Sequence, residues 1–105
     1  EKGMKLKVDR SKTNIDPYNF LRRAGYGFII DKKSGKESFV KRLGNGHYPR
    51  FHMYLEENKS NYIFDLHIDQ QQSSLGPKRH KTEYEGERVL EELKRLKRMI
   101  DSGKR

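Results

Sequence analysis

The sequence predicts an α+β fold: a helix, a four-stranded antiparallel sheet built from two hairpins, and a second helix, with both helices on one face of the sheet. From Tyr62 to Asp69, the residues Tyr62, Phe64, Leu66 and Ile68 fall on one face and Ile63, Asp65, His67 and Asp69 on the other, which is typical of a strand with one buried face. Polar turns separate three other strand candidates, and apolar residues recur at helical spacing in residues 82–102. At 105 residues the chain fits one domain, predicted as residues 14–102.

The first thirteen residues are predicted to be a basic flexible arm, and residues 103–105 a tail. Five cations are spread along the arm: Lys2, Lys5, Lys7, Arg10 and Lys12. Met4, Leu6 and Val8 alternate with polar residues, so a short edge strand is the alternative interpretation.

The first helix is predicted from about Ile15 to Gly25. Asp16 is a suitable N-cap, and Pro17 stands at the first helical position, where its missing N–H costs nothing. Gly25 is placed to end the helix. Its buried side is predicted to carry Phe20, Leu21 and Ala24.

The first hairpin is predicted to join residues 28–31 to residues 37–43 through a polar loop that contains Gly35. Five cations lie within it: Lys32, Lys33, Lys36, Lys41 and Arg42. Such a cluster favours an edge that faces phosphates, although lysines in a loop are also common simply as solvated groups.

The second hairpin is predicted to pair residues 50–56 with residues 62–69. Its two apolar sets then share one face of the sheet. The opposite face would gather His52, Tyr54, Asp65, His67 and Asp69. This gathering depends on the register, because a slip of one residue moves every side chain to the other face.

The last helix is predicted over residues 82–102. An apolar stripe with helical spacing defines it: Val89, Leu93, Leu96 and Ile100, widened by Leu90. If this stripe were wider than the sheet can cover, it would drive dimerisation or serve as an adaptor surface.

The formal charge of +9 is concentrated in residues 1–50, where thirteen Lys and Arg face five Asp and Glu. A local positive field of this kind suits a polyanion, most often nucleic acid. The chain has no Cys, no apolar run long enough for a membrane span and no signal-peptide pattern. These features predict a cytoplasmic protein with a nucleic-acid partner and no membrane association.

The predicted polar face also carries side chains that are used in catalysis and metal binding. His67 and Asp69 point the same way on one strand, and a His oriented by a carboxylate is a usual general base. With His52 they form the predicted catalytic set of a small nuclease. His67, Asp69 and His80 are the predicted ligands of a divalent metal such as zinc or manganese. The alternative is that these groups only make cross-strand pairs.

Several other chemistries have no motif. Gly44–Pro49 is not a phosphate-binding P-loop, because no Gly-Lys-Ser/Thr follows it. Ser73 and Ser74 have no surrounding motif of a nucleophile. Tyr84 has no accompanying His-hydrophobic-His strand, as a tyrosine nucleophile of the rolling-circle type would need.

Residues 16–69 resemble two known types of protein. The helix–strands–helix order in a basic chain is similar to the double-stranded-RNA-binding-domain shape and to HicA-type messenger-RNA interferases. Those toxins carry a Gly-Ser-His motif; Gly46-His47 or His52 is the nearest match, and the Ser is absent. The strand Leu66-His-Ile-Asp-Gln70 also resembles that of a small uncharacterised bacterial and archaeal family, which implies no particular activity.

The first expectation is therefore a nucleic-acid-binding protein, with RNA favoured. The predicted contacts are Lys32, Lys33, Lys36, Lys41, Arg42, Arg50, Tyr48 and Tyr54, where the aromatic rings would stack on bases. A small nuclease is the alternative, and a protein-interaction adaptor, with a homodimer as one form, is the third hypothesis.

Overall fold

A five-stranded antiparallel sheet and two helices make up the fold. The computed structural model describes residues 2–30, 32, 34–46, 48–69 and 79–102. In chain order the elements are β1 (Lys2–Asp9), a short 3-10 helix (Arg10–Lys12), α1 (Pro17–Arg23), β2 (Gly27–Ile30), β3 (Glu37–Arg42), β4 (Arg50–Glu57), β5 (Asn61–Asp69) and α2 (Arg79–Ser102). The α+β class is confirmed, while the predicted number of four strands is wrong.

The strands lie in the order β1-β5-β4-β3-β2, so the sheet is open, with β1 and β2 at its edges. Each neighbouring pair is antiparallel. Within the described ranges, neither helix has the length and apolar character needed to cross a lipid bilayer.

The additional strand is β1, which forms where a flexible arm was expected. The Cα partners of Met4, Leu6 and Val8 are Leu66, Phe64 and Tyr62. The apolar residues that alternate with polar ones in β1 therefore extend the apolar face of β5. Lys5 and Lys7 lie at intervening positions on the other face, where they do not oppose pairing. This first strand also departs from the helix-first order on which the double-stranded-RNA-binding resemblance depends.

Helix α1 begins and ends as its sequence predicts. The side chain of Asp16 accepts a hydrogen bond from the Tyr18 N–H at 3.1 Å, and Pro17 occupies the first turn. Gly25 follows the helix with φ of 104°, a left-handed conformation that favours glycine. The helix is therefore short because both of its boundaries are encoded locally.

The predicted register of the second hairpin is confirmed. Phe51 faces Ile68, Met53 faces Leu66, and His52 faces His67. Because directly opposite residues point to the same side of a sheet, the apolar and polar sets separate onto two faces.

One hydrophobic core holds the two helices against the sheet. It contains buried side chains from both helices, from the segment between α1 and β2 and from the three inner strands: Phe20, Leu21, Ala24, Tyr26, Phe39, Phe51, Met53, Phe64, Leu66, Ile68, Val89, Leu93, Leu96 and Ile100. The four main residues of the α2 stripe are thus buried within the chain, and only Leu90 beside them is exposed. Within residues 86–102, the stripe therefore lies in this core, and Leu90 is the exposed apolar side chain beside it.

Candidate functional site

The face of the sheet opposite this core, here called the polar face, is built by alternate residues of four strands. Strand register places on it Gly3, Lys5 and Lys7 from β1, Asp65, His67 and Asp69 from β5, Arg50, His52 and Tyr54 from β4, and Ser38 and Arg42 from β3. The described buried side chains of both helices lie in the core on the opposite face, and the predicted polar residues of the strands meet on this one.

His52 lies at the centre of a hydrogen-bonded row across three strands. Its Nδ1 is 3.0 Å from Asp69 Oδ2, and its Nε2 is 3.0 Å from the Ser38 hydroxyl. An ionised carboxylate can only accept, so in the neutral ring Nδ1 carries the hydrogen and Nε2 accepts from Ser38. The row fixes the orientation and the tautomer of His52.

This Ser38–His52–Asp69 row has the order of groups found in serine hydrolases, where the serine must meet a substrate. Ser38, however, is 1 % exposed. A hydroxyl at that depth cannot approach a substrate carbonyl, so the row acts as a cross-strand connection in this conformation. The sequence analysis did not identify Ser38, because nothing in its local sequence distinguishes it from other strand serines.

His67 is held by a different carboxylate from the one predicted. Its Nε2 is 3.0 Å from Asp65 Oδ1, whereas Asp69 pairs with His52. Both carboxylates lie two residues from His67 on the same strand, so sequence spacing did not distinguish them. The expectation that Asp69 orients His67 is therefore wrong.

Gly3 on β1 leaves space for the His67 ring. It is the Cα partner of His67, and a Cβ atom at this position would collide with the imidazole ring. The ring thus lies over a backbone position that only glycine leaves open. Gly3 is a second residue that sequence reasoning missed, because its requirement comes from a strand sixty residues away.

The predicted metal ligands do not converge within the described residues. His52 and His67 belong to two separate His–Asp pairs, and no group of three potential ligands is found in the described part of the chain. The side chain of His80 lies outside the described residues. The polar face therefore offers two oriented imidazoles instead of a chelating cluster.

Tyr54 lies among these groups. Its ring centroid is 4.7 Å from that of His52 and 5.9 Å from that of His67. Lys36, from the loop between β2 and β3, places its Nζ 5.3 Å from the Tyr54 ring centroid. This ring and its cation bring the hairpin loop to the polar face.

Two arginines occupy the end of the polar face near Tyr48. Arg42 is the Cα partner of Arg50, and Arg42 is exposed. Arg50 is half-buried: its Nε lies 3.6 Å from Asp69 Oδ2, and its guanidinium is 5.1 Å from the centre of the Tyr48 ring. This end of the sheet combines cationic and aromatic groups, as the sequence predicts.

The cations of the first hairpin do not act as one cluster. Lys41 faces the helix side, with its Nζ 4.0 Å from Glu92 Oε2 and 5.9 Å from the centre of the Tyr26 ring. Lys32 is exposed in the loop, and Lys33 lies outside the described residues. Strand alternation separates Lys41 from Arg42, because adjacent residues of a strand point to opposite faces.

A second polar cluster, here called the Glu92 cluster, lies on the helix side of the sheet. Glu92 is 7 % exposed and accepts a hydrogen bond from the Tyr26 hydroxyl at 2.6 Å. Arg95 donates to both carboxylate oxygens, at 2.7 and 2.8 Å, and to the carbonyl of Ala24 at 2.9 Å. The cluster connects α2 to the segment that follows α1.

The pKa values of this cluster reflect burial and hydrogen bonding together. Burial alone would raise the pKa of Glu92, but hydrogen bonds from Arg95 and Tyr26 and the nearby positive charges outweigh it and lower that pKa below 4.5. Burial, followed by the charge of Glu92, raises the pKa of the Tyr26 hydroxyl. Glu92 is therefore an ionised, fully partnered group. Sequence analysis missed it because it resembles the exposed glutamates around it.

Comparison of the chain with protein-family models, with curated proteins and with solved structures gave no significant match. A function for this chain is therefore inferred from the polar face itself.

Proposed function

We propose that the protein binds single-stranded nucleic acid, RNA in preference to DNA, through the polar face and the adjoining hairpin loop. The observation that carries this proposal is the combination, on the face of the sheet opposite the core, of exposed cations with the rings of Tyr48 and Tyr54. Proteins that bind single strands combine such cations, which contact phosphates, with rings on which bases stack.

The cations that support the proposal surround the centre of the face. Lys5 and Lys7 lie on the β1 side, Lys36 in the loop beside Tyr54, and Arg42 on β3. All four are exposed. A phosphate backbone that crossed the sheet from β1 to β3 would meet cations on both sides, and release of its counterions would favour binding.

The aromatic groups explain why a single strand is favoured over a duplex. Tyr48 is 37 % exposed at the end of the sheet, and Tyr54 lies near the middle of the face. Stacking on these rings requires bases that are not already stacked inside a helix.

The two aspartates of the polar face favour RNA. Asp65 and Asp69 are paired with imidazoles, but an ionised carboxylate has about four acceptor positions, so each keeps some acceptor capacity. A ribose 2′-hydroxyl can donate to a carboxylate, whereas deoxyribose has no such donor. The same carboxylates repel phosphate, so they act as sites for sugars and not for the backbone.

A nuclease function has less support. Its predicted residues form two separate His–Asp pairs, and the hydroxyl next to His52 is buried. Among the described residues, the polar face supplies oriented polar groups for binding but no group of three potential metal ligands that could act together on one phosphodiester.

The test measures binding of fluorescently labelled single-stranded RNA and of DNA with the same sequence over a range of salt concentrations. The test variant carries Lys5→Ala, Lys7→Ala and Arg42→Ala. The matched control removes three exposed cations from the helix side, Arg22→Ala, Lys94→Ala and Arg98→Ala, with the same change of net charge.

For the wild type we expect affinity for RNA that falls steeply with salt. If the three substituted cations each contact one phosphate, the slope of log Kobs against log salt should be smaller by about 2 in the test variant and nearly unchanged in the control. Equal losses in both variants would mean that only net charge matters, and absence of binding at low salt would refute the proposal.

A further inference from the structure

The two edges of the sheet differ in how they are protected. β2 is the last strand in the sheet order, and within the described residues β3 is its only strand neighbour. The outward backbone groups of an edge strand are a template for pairing with another strand. Natural proteins usually block such edges with charges, proline or bulges. Strand β1, at the other edge, carries three lysines in its sequence, whereas Gly27–Ile30 contains neither a charged residue nor a proline.

Large apolar side chains are exposed at the β2 edge. Phe28 is 49 % exposed and Ile30 is 58 % exposed, and both point to the helix side because they are two residues apart. Tyr18 of α1 lies beside them: its ring and that of Phe28 contact Phe39 at centroid distances of 5.7 and 5.5 Å. The patch formed by Tyr18, Phe28 and Ile30 therefore adjoins an unblocked strand edge.

The sequence of β2 is complementary to itself in an antiparallel arrangement. If Ile29 faces the same residue of a second copy, Phe28 of each copy faces Ile30 of the other, on the helix side. Aromatic and β-branched residues directly opposite one another are stabilising cross-strand pairs. No like charges come together within these four residues, which distinguishes this edge from β1.

We propose that the protein forms a symmetric homodimer in which β2 of one copy pairs antiparallel with β2 of the other. The two sheets then become one sheet of ten strands. The twofold axis of an antiparallel pair stands perpendicular to the sheet, so the two polar faces lie on the same side and the helices of both copies on the other side. The dimer therefore presents the two polar faces on one side, with the two Ile29 side chains between them at the seam. The pairing itself is independent of whether that surface binds nucleic acid.

The strength expected of this dimer follows from its size and charge. Four residues of a strand and three side chains bury much less than the roughly 1,600 Å² of a typical stable interface. Each copy also carries a net charge of +9, which opposes association. We expect a dissociation constant in the micromolar to millimolar range, lower at high salt because screening reduces the repulsion.

Sedimentation equilibrium over a wide range of protein concentration tests the proposal. Ile30→Lys places a charge in the patch and should weaken dimerisation by about tenfold or more, since its ammonium group, although it lies opposite Glu37 of its own chain, would lose hydration against Phe28 of the other copy. Met4→Lys is the matched control, because Met4 is 40 % exposed on the helix side of the opposite edge. It should leave the association unchanged. Circular dichroism establishes that both variants are folded.

Cross-linking gives a second readout that does not depend on disrupting the patch. The chain has no cysteine, so Ile29→Cys introduces a single thiol at the expected twofold axis. Under mild oxidation it should form a disulfide-linked dimer much faster than Met4→Cys, because directly opposite Cβ atoms in a sheet lie close to disulfide geometry. A wild-type protein that stays monomeric at every concentration, or equal behaviour of the two edges in both assays, would overturn the proposal.

Discussion

The polar clusters on the two sides of the sheet contain similar kinds of groups but differ in burial and in remaining hydrogen-bonding capacity. In the Glu92 cluster, Glu92 is 7 % exposed and accepts hydrogen bonds from Tyr26 and Arg95. On the polar face, the side chains of His52, His67 and Asp69 are 16, 22 and 20 % exposed and are joined mainly in pairs. The first cluster has little acceptor capacity left and little contact with solvent, whereas the second keeps both.

This difference shows how burial divides structural from functional polar groups in a small domain. A buried carboxylate must be fully paired, because an unpaired charge in the core is costly. A half-buried carboxylate can keep an open acceptor position, since water satisfies it until a ligand arrives. We therefore assign fold stability to the Glu92 cluster, and the polar face is the surface proposed for binding.

The largest expected effect is at Glu92. Glu92→Ala removes the acceptor of Tyr26 and Arg95 from a buried site, and we expect a loss of about 3 kcal/mol in the free energy of unfolding. We take the lower end of the range of destabilisation for breaking a buried ion pair, because the Arg95 side chain is 35 % exposed and stays partly hydrated. Urea denaturation measures it. Glu91→Ala, at the exposed neighbouring position, should cost about 0.5 kcal/mol or less; similar losses for the two would remove the distinction between the clusters.

Acidification should also lower the free energy of unfolding, by no more than the Glu92→Ala substitution does. Because the folded pKa of Glu92 is lowered, its ionised form stabilises the fold above its ordinary pKa of 4.5, and this contribution is lost as the pH falls through the folded value. Denaturation of wild type and Glu92→Gln from neutral pH to below 4.5 follows this loss. The stability difference between them should shrink with acid; a constant difference would contradict the assignment.

A smaller effect is expected at Gly3, on the polar face. Gly3→Ala should cost about 1 kcal/mol, because the new methyl group displaces the His67 ring while alanine is otherwise favoured over glycine in a strand. In a His67→Ala background the same substitution should be neutral or stabilising. A double-mutant cycle measures this coupling. An equal cost in both backgrounds would show that the ring does not lie over Gly3.

For RNA binding, the cations of the polar face should matter more than Glu92. Loss of Lys5, Lys7 and Arg42 should weaken RNA binding with little change in stability, since exposed cations contribute little to folding. The Glu92 substitutions should destabilise the protein without changing the salt dependence of binding in the fraction that remains folded. A parallel loss of stability and binding in both sets would show that the two sides of the sheet are not separable.

Predictions succeeded where the signal was local. The caps of α1, the alternation of β5 and the stripe of α2 each lie within a few turns or one strand. The hairpin register also followed, because a short turn joins β4 to β5 and only one register buries both apolar sets. These features made the facing of His52 and His67 predictable.

Predictions failed where a distant element decided between two local options. The stretch Lys2–Asp9 had both an apolar alternation and many lysines, and the open edge of β5 decided in favour of a strand. His67 had an aspartate two residues away on each side, and Asp69 was already paired with His52 on the neighbouring strand.

The sequence by itself determined the α+β class, the two faces of β4 and β5, and the excess of positive charge, because periodicity, capping and composition are properties of short segments. Only the tertiary structure decided that a fifth strand joins the sheet, that Ser38 and Gly3 support the two histidines, and that Glu92 is buried with Tyr26 and Arg95. The physical reason is that hydrogen bonds and close packing require groups to meet in space. The partners of a polar group in this fold are as much as 71 residues apart in the chain, as in the hydrogen bond from Arg95 to the carbonyl of Ala24.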